Sequence, residues 1–92
     1  MVRSRSIIAT PPGATIKEQL NDRGMSQKES AVRIDMSEKH VSKLINGEVQ
    51  LTPEVAVRLE IVLGVPARFW NTLVAIYREK LIKIAAEKAM EA

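Results

Sequence analysis

Cysteine is absent from this chain of 92 residues. Its absence excludes disulfides, thiolate metal sites and a cysteine nucleophile, and it suits a reducing cytosol. One histidine, His40, cannot build an ordinary zinc site alone. No glycine-rich phosphate loop and no acidic cluster suited to a metal is present, so neither catalysis nor a cofactor is expected. Glu54 and Glu60 read as a helix-start charge and a solvated face. The apolar runs fall far short of the roughly 18 residues a membrane span needs. The opening MVRSRSIIATPPG carries too little apolar length for a secretory signal. The expected protein is soluble and cytoplasmic, with no membrane partner. Repeats and low-complexity segments are also missing. At this length a single domain buries only a modest core, so a dimer would add useful stability.

What is present is helical punctuation. Pro11, Pro12 and Gly13 end a basic N-terminal arm, 1–12, because the proline pair blocks a helix and glycine permits a sharp turn. The folded part is expected over 13–92. Thr15 is read as the opening of helix one, with Glu18 completing a capping box, Ile16 and Leu20 on the buried face, and Gly24 as the stop. A strong start follows at Thr52 and Pro53, cap then proline, with Val55, Ala56, Leu59, Val62 and Leu63 as the apolar stripe and Gly64 as the stop. The last helix is expected over about 66–90, since nothing breaks it after Pro66.

Between the first helix and Thr52 lies the unit 26–47, two short amphipathic stretches joined by a tight polar turn. Ser26 can cap the first, with Glu29 three residues on as the partner of a capping box and Met25 as a staple. Ala31 and Ile34 fall on one face, and Asp35 tolerates the left-handed conformation a tight turn requires. Ser37 caps the second stretch, Val41, Leu44 and Ile45 share its inner face, and Gly47 ends it. Glu38, Lys39, Ser42 and Lys43 are left pointing outward. For a short helix alone this would be a solvated face. Two capped helices, a short turn and polar side chains clustered at the start of the second together match a helix-turn-helix, whose second helix enters the major groove.

Charge tempers that expectation. The net charge of +3 permits a polyanionic partner without requiring one. Within 26–50, Lys28, Arg33, Lys39 and Lys43 are balanced by Glu29, Asp35, Glu38 and Glu48, so the reading unit is neutral. The excess sits in the arm, at Arg3 and Arg5, and in the last helix. An arm with two arginines can enter a minor groove, or it can serve as a solubilising tail. In the last helix Trp70, Val74, Tyr77, Leu81 and Ile84 form a seam at spacings of four and three. Phe69, Trp70 and Leu73 are expected to pack on helices one and four. Tyr77, Leu81, Ile82 and Ile84 lie farther along, as candidates for a dimer seam or for contact with a second protein.

The segments PPGATIKEQLNDRGMSQKE and SEKHVSKLINGEVQLTPEVAVRLEIVLGVPARFW resemble the HigA-type antitoxins, a VapI-like branch of the XRE, phage-repressor-like helix-turn-helix family. The most specific parts are LINGEVQLTPEVAVRLEIVLG and the ARFW after it. The resemblance implies an all-α, five-helix lambda-repressor-like DNA-binding domain with a long C-terminal helix. It further implies a bacterial homodimer that represses its own operon at an inverted-repeat operator and neutralises a small RelE-like ribonuclease toxin. Carried onto this chain, Ser37, Glu38, Lys39 and Lys43 match the base-reading positions. Lysine can donate to guanine O6 and N7, and Glu38 can accept from a cytosine amine. Gln27, Ser42 and Asn46 match positions that hold phosphate, contacts that fix register without reading sequence. His40 is more readily an exposed surface residue.

Three positions depart from the family pattern. Ser30 stands where a large apolar residue is usual, which predicts looser packing of the reading unit. Glu38 places an anion near phosphates. Val65 replaces the hydroxyl residue that would cap the last helix. An alternative of another class follows: a protein-interaction module with weak DNA binding, or the N-terminal regulatory part of a larger regulator with a metallopeptidase-like domain.

Overall fold

The computed structural model describes residues 9–91. Among them are five helices and no strand: α1 (Pro12–Asp22), α2 (Gln27–Ile34), α3 (Glu38–Ile45), α4 (Pro53–Leu63) and α5 (Ala67–Glu91). This is the expected all-α, five-helix arrangement with a long last helix.

The stops follow one stereochemical rule. Gly24, Asp35, Gly47 and Gly64 all adopt positive φ, between 63° and 78°. At the end of α3, Gly47 N–H donates to the Leu44 carbonyl and Glu48 N–H to that of Lys43, a Schellman closure. The end of α2 closes the same way, with Met36 N–H on the Ala31 carbonyl at 2.9 Å, but an aspartate occupies the left-handed position at φ 63°. Asp35 therefore does what the sequence suggested.

The starts are capped as read at three helices. Ser26 Oγ accepts from Glu29 N–H and Ser37 Oγ from His40 N–H, both at 3.0 Å, and Thr52 Oγ1 accepts from Val55 N–H at 3.3 Å. The Glu29 carboxylate does not close the reciprocal half of its capping box, because it pairs with Arg33 one turn on at 2.9 Å. Helix one differs more. It opens at Pro12 rather than Thr15, with Pro11 at the cap position and no side-chain cap, so the Thr15–Glu18 box does not form. The proline pair begins this helix instead of blocking it, since proline at the first helical position gives up a donor that would be unpaired there anyway.

The core gathers Ile16 and Leu20 of α1, Ala31 and Ile34 of α2, Val41, Leu44 and Ile45 of α3, Leu51 from the connector, Val55, Ala56, Leu59 and Leu63 of α4, and Trp70 of α5. Helix α3 packs on α1 and α2, while α4 packs on α2 and α5, and α5 also reaches α1. Helix α3 is thus buried on one side by two neighbours. Burial at roughly 25 cal/mol per Å² of apolar surface is the main force holding it there.

Ser30 does not loosen this packing. It is fully buried, and its hydroxyl donates to the Gln27 carbonyl at 2.9 Å, so the small side chain brings no unpaired polar group into the core. Glu60 is more than a solvated face. Its carboxylate accepts from the Ala67 N–H at 2.8 Å, supplying from α4 the N-terminal acceptor that Val65 cannot give α5. Trp70 and Leu73 pack into the core as expected, but Phe69 is 42% exposed and only its ring meets Trp70, edge to face at 5.3 Å. A 100° step per residue places Phe69 well around the helix from Trp70, on the outer side.

Candidate nucleic-acid interface

Helix α3 divides cleanly. Val41, Leu44 and Ile45 are buried. Lys39, Ser42, Lys43 and Asn46, at i, i+3, i+4 and i+7, form the opposite stripe, half-buried or exposed. Among the described residues, Lys39 and Lys43 make no ion pair, so both ammonium groups face outward uncommitted. Ser37 uses one lone pair on the His40 N–H, and its hydroxyl hydrogen remains available to a base or phosphate.

Glu38 stands apart from that stripe. It occupies the first turn of α3, where a carboxylate is favoured by the positive end of the helix whatever it does at DNA. His40 is exposed on the flank away from the Lys39 and Lys43 line. Gln27 is the first residue of α2 and half-buried, in the turn whose first N–H groups an α-helix leaves unpaired. A helix start of this kind favours a phosphate oxygen. Asn46 is exposed at the C-cap of α3, next to the Gly47 turn. Arg3 and Arg5 lie outside the described residues.

Two contacts that fix α3 were not foreseen. At its C-terminal end, Gly13 of α1 lies so close that a Cβ there would overlap the carbonyl oxygens of Leu44 and Ile45. At its entry, Arg58 of α4 donates from Nη1 to the Ile34 and Asp35 carbonyls, at 3.3 and 3.2 Å, and from Nη2 to Glu54 at 2.9 Å. The sequence carried a faint sign of the second, an arginine four residues after a glutamate on the edge of an apolar stripe. It carried none of the first beyond a glycine after two prolines.

The seam of α5 is only partly covered. Val74, Tyr77 and Leu81 line a groove of about 310 Å³ together with Pro11, Gly47 and Leu51. Leu81 is 43% exposed and Ile84 half-buried on the same face. Ile82 is 69% exposed and, one 100° step from Leu81, points off that face, so the four residues do not form a single strip. No helix among the described residues is long and apolar enough to cross a membrane.

Comparison with known proteins agrees with this geometry. An uncharacterized HTH-type transcriptional regulator of Escherichia coli K12, YddM, is 34% identical over 62 residues, which are 67% of this chain and 66% of that protein. The chain thus spans just under two thirds of that relative. Among solved structures, an addiction module antidote protein of the HigA family from Coxiella burnetii superposes with a TM-score of 0.82 at 26% identity, covering 90% of this chain and 91% of that one. A protein from Nostoc punctiforme named as a candidate antidote of a plasmid maintenance system has the same fold, with a TM-score of 0.84 at 24% identity over 98% of this chain and 93% of that one. The helix-turn-helix family HTH_3 matches residues 16–70, which take in both capped helices, the left-handed turn and the α4 support, and the chain belongs to that family of XRE-type DNA-binding domains.

Proposed function

We propose that this protein is a sequence-specific transcriptional repressor that also serves as the antitoxin of a HigBA-type pair. The observation that carries the DNA-reading half is the α3 stripe of Lys39, Ser42, Lys43 and Asn46, outward and without ion pairs among the described residues, on a helix whose other face is locked into the core. Lys39 and Lys43 read bases from the major groove, with Ser37 and Glu38 at its edge, while Gln27, Ser42 and Asn46 hold phosphate. Arg3 and Arg5, which lie outside the described residues, are the proposed source of charge for a minor groove.

A symmetric dimer would set two α3 helices in successive major grooves, about 34 Å apart, on an inverted repeat of the operon's own operator. The half-covered seam of Tyr77, Leu81 and Ile84 is the surface that supports such a dimer. The likeness to an addiction module antidote supports a toxin partner; the RelE-like ribonuclease class is what the sequence resemblance adds. A stoichiometric complex with the product of the neighbouring reading frame, and loss of that product's RNA cleavage, is the expected result.

Two substitutions test the reading helix. Lys39→Ala should relax base preference, costing about 1–3 kcal/mol on the preferred site and little elsewhere. Gln27→Ala should weaken binding on all sequences alike. Unchanged operator affinity in both variants would remove the assignment of α3.

A further inference from the structure

We infer that Arg58 is a positioning residue for operator recognition: its guanidinium fixes the α2–α3 turn and so sets the angle at which α3 meets the base edges. The inference rests on the reading of α3 given above.

Within the turn, Asp35 holds a left-handed conformation that disfavours any side-chain-bearing residue. The Schellman closure satisfies the Ala31 and Val32 carbonyls, through Met36 N–H and Asp35 N–H. It leaves the carbonyls of Ile34 and Asp35, at the hinge itself, without a backbone donor in that closure. Arg58 Nη1 supplies both, at 3.3 and 3.2 Å. Both bonds carry guanidinium charge but are long, so what they supply is a tie of two adjacent turn carbonyls to α4 rather than two strong bonds. Glu54 fixes the other arm of the fork at 2.9 Å, yet it is 75% exposed, so the ion pair itself contributes little to stability.

The consequence is geometric. Ser37, which caps α3, follows the bridged Asp35 by two residues, so the turn determines where α3 begins. Its far end is already fixed, because Gly13 backs directly onto the Leu44 and Ile45 carbonyls. Freeing the turn leaves the N-terminal end of α3 held by its core side chains alone and able to shift about the fixed C-terminal end. Phosphate contacts tolerate such movement better than paired donors on a base edge do, since the former are long-range and the latter directional.

The test uses Arg58→Met, which keeps the apolar stem, and Arg58→Lys, which keeps stem and charge but loses the fork. Each is assayed well below its melting temperature for affinity to the protein's own upstream DNA and to random DNA, across a salt series. The wild type must first prefer the upstream DNA. If it does not, the reading of α3 fails before Arg58 is tested. The expected result is that both variants remain folded by circular dichroism, that the ratio of specific to non-specific affinity falls about tenfold or more, and that the salt slope on random DNA stays unchanged. Should Arg58→Met prevent folding, the lysine variant alone decides. A salt slope reduced by about one charge, with the ratio intact, would make Arg58 a phosphate contact and overturn the inference. An unchanged ratio and slope with only a lower melting temperature would overturn it as well. Glu54→Gln, which leaves the carbonyl bonds in place, should keep the wild-type ratio.

Discussion

At the scale of single residues, the decisive side chains are few and their roles differ in kind. Gly13 acts through what it lacks. With a Cβ overlapping two carbonyls of α3, Gly13→Ala forces the backbone apart and should cost about 3 kcal/mol, visible as a lowered denaturation midpoint. Asp35 is tolerated rather than ideal. Asp35→Ala should cost roughly 1 kcal/mol, whereas Asp35→Gly should be neutral or slightly stabilising, because only glycine adopts φ near 60° without strain. Much of this scale was legible in the chain. Ser26, Ser37, Thr52 and Asp35 announce themselves by residue type and position, since caps and left-handed turns are local chemistry. Gly13 and Arg58 do not, because their partners are carbonyls 23 or more residues away, and a backbone carbonyl has no sequence signature. Glu60 is exposed, as its solvated-face reading expects, but its second role was not legible for the same reason. Its partner is a backbone N–H across the α4–α5 corner, where the residue type at 67 gives no hint.

At the scale of elements, the two short helices depend on their caps and neighbours more than on their own propensity. Eight residues are too few for a stable isolated helix. Loss of the Ser37 hydroxyl in Ser37→Ala removes the acceptor for His40 N–H and should cost about 1 kcal/mol. If α3 meets DNA by this end as proposed, operator affinity should fall along with stability in Ser37→Ala, whereas Ser26→Ala should reduce stability chiefly. Thermal melts and binding isotherms on the two variants separate these effects. Helix periodicity located α3 and α4 well because their apolar positions face one shared core. It was less reliable for α1, where a proline pair can end one element or open the next, and for α5. There Phe69 adjoins Trp70 in sequence but lies around the helix from it, on the exposed side.

At the scale of the whole molecule, shape and charge govern assembly. The longest dimension is 46 Å against 23 and 21 Å, and α5 alone accounts for about 37 Å at 1.5 Å per residue. Only part of its apolar seam is covered, and the groove beside Tyr77 and Leu81 remains open. If that face joins two copies, Leu81→Glu with Ile84→Glu should shift the protein to monomer in sedimentation and weaken binding to a paired half-site far more than to a single one. Ile82→Glu, off that face, should leave the dimer intact. With a neutral reading unit and a net charge of +3, long-range attraction to DNA is modest, and discrimination has to come from α3 itself. One measurement tests this directly: affinity for the protein's own upstream DNA and for random DNA of equal length, each at two salt concentrations. The expected result is a preference of roughly a thousandfold for the upstream DNA, largely preserved as salt lowers both affinities. Equal affinities with equal salt slopes would contradict sequence reading by α3.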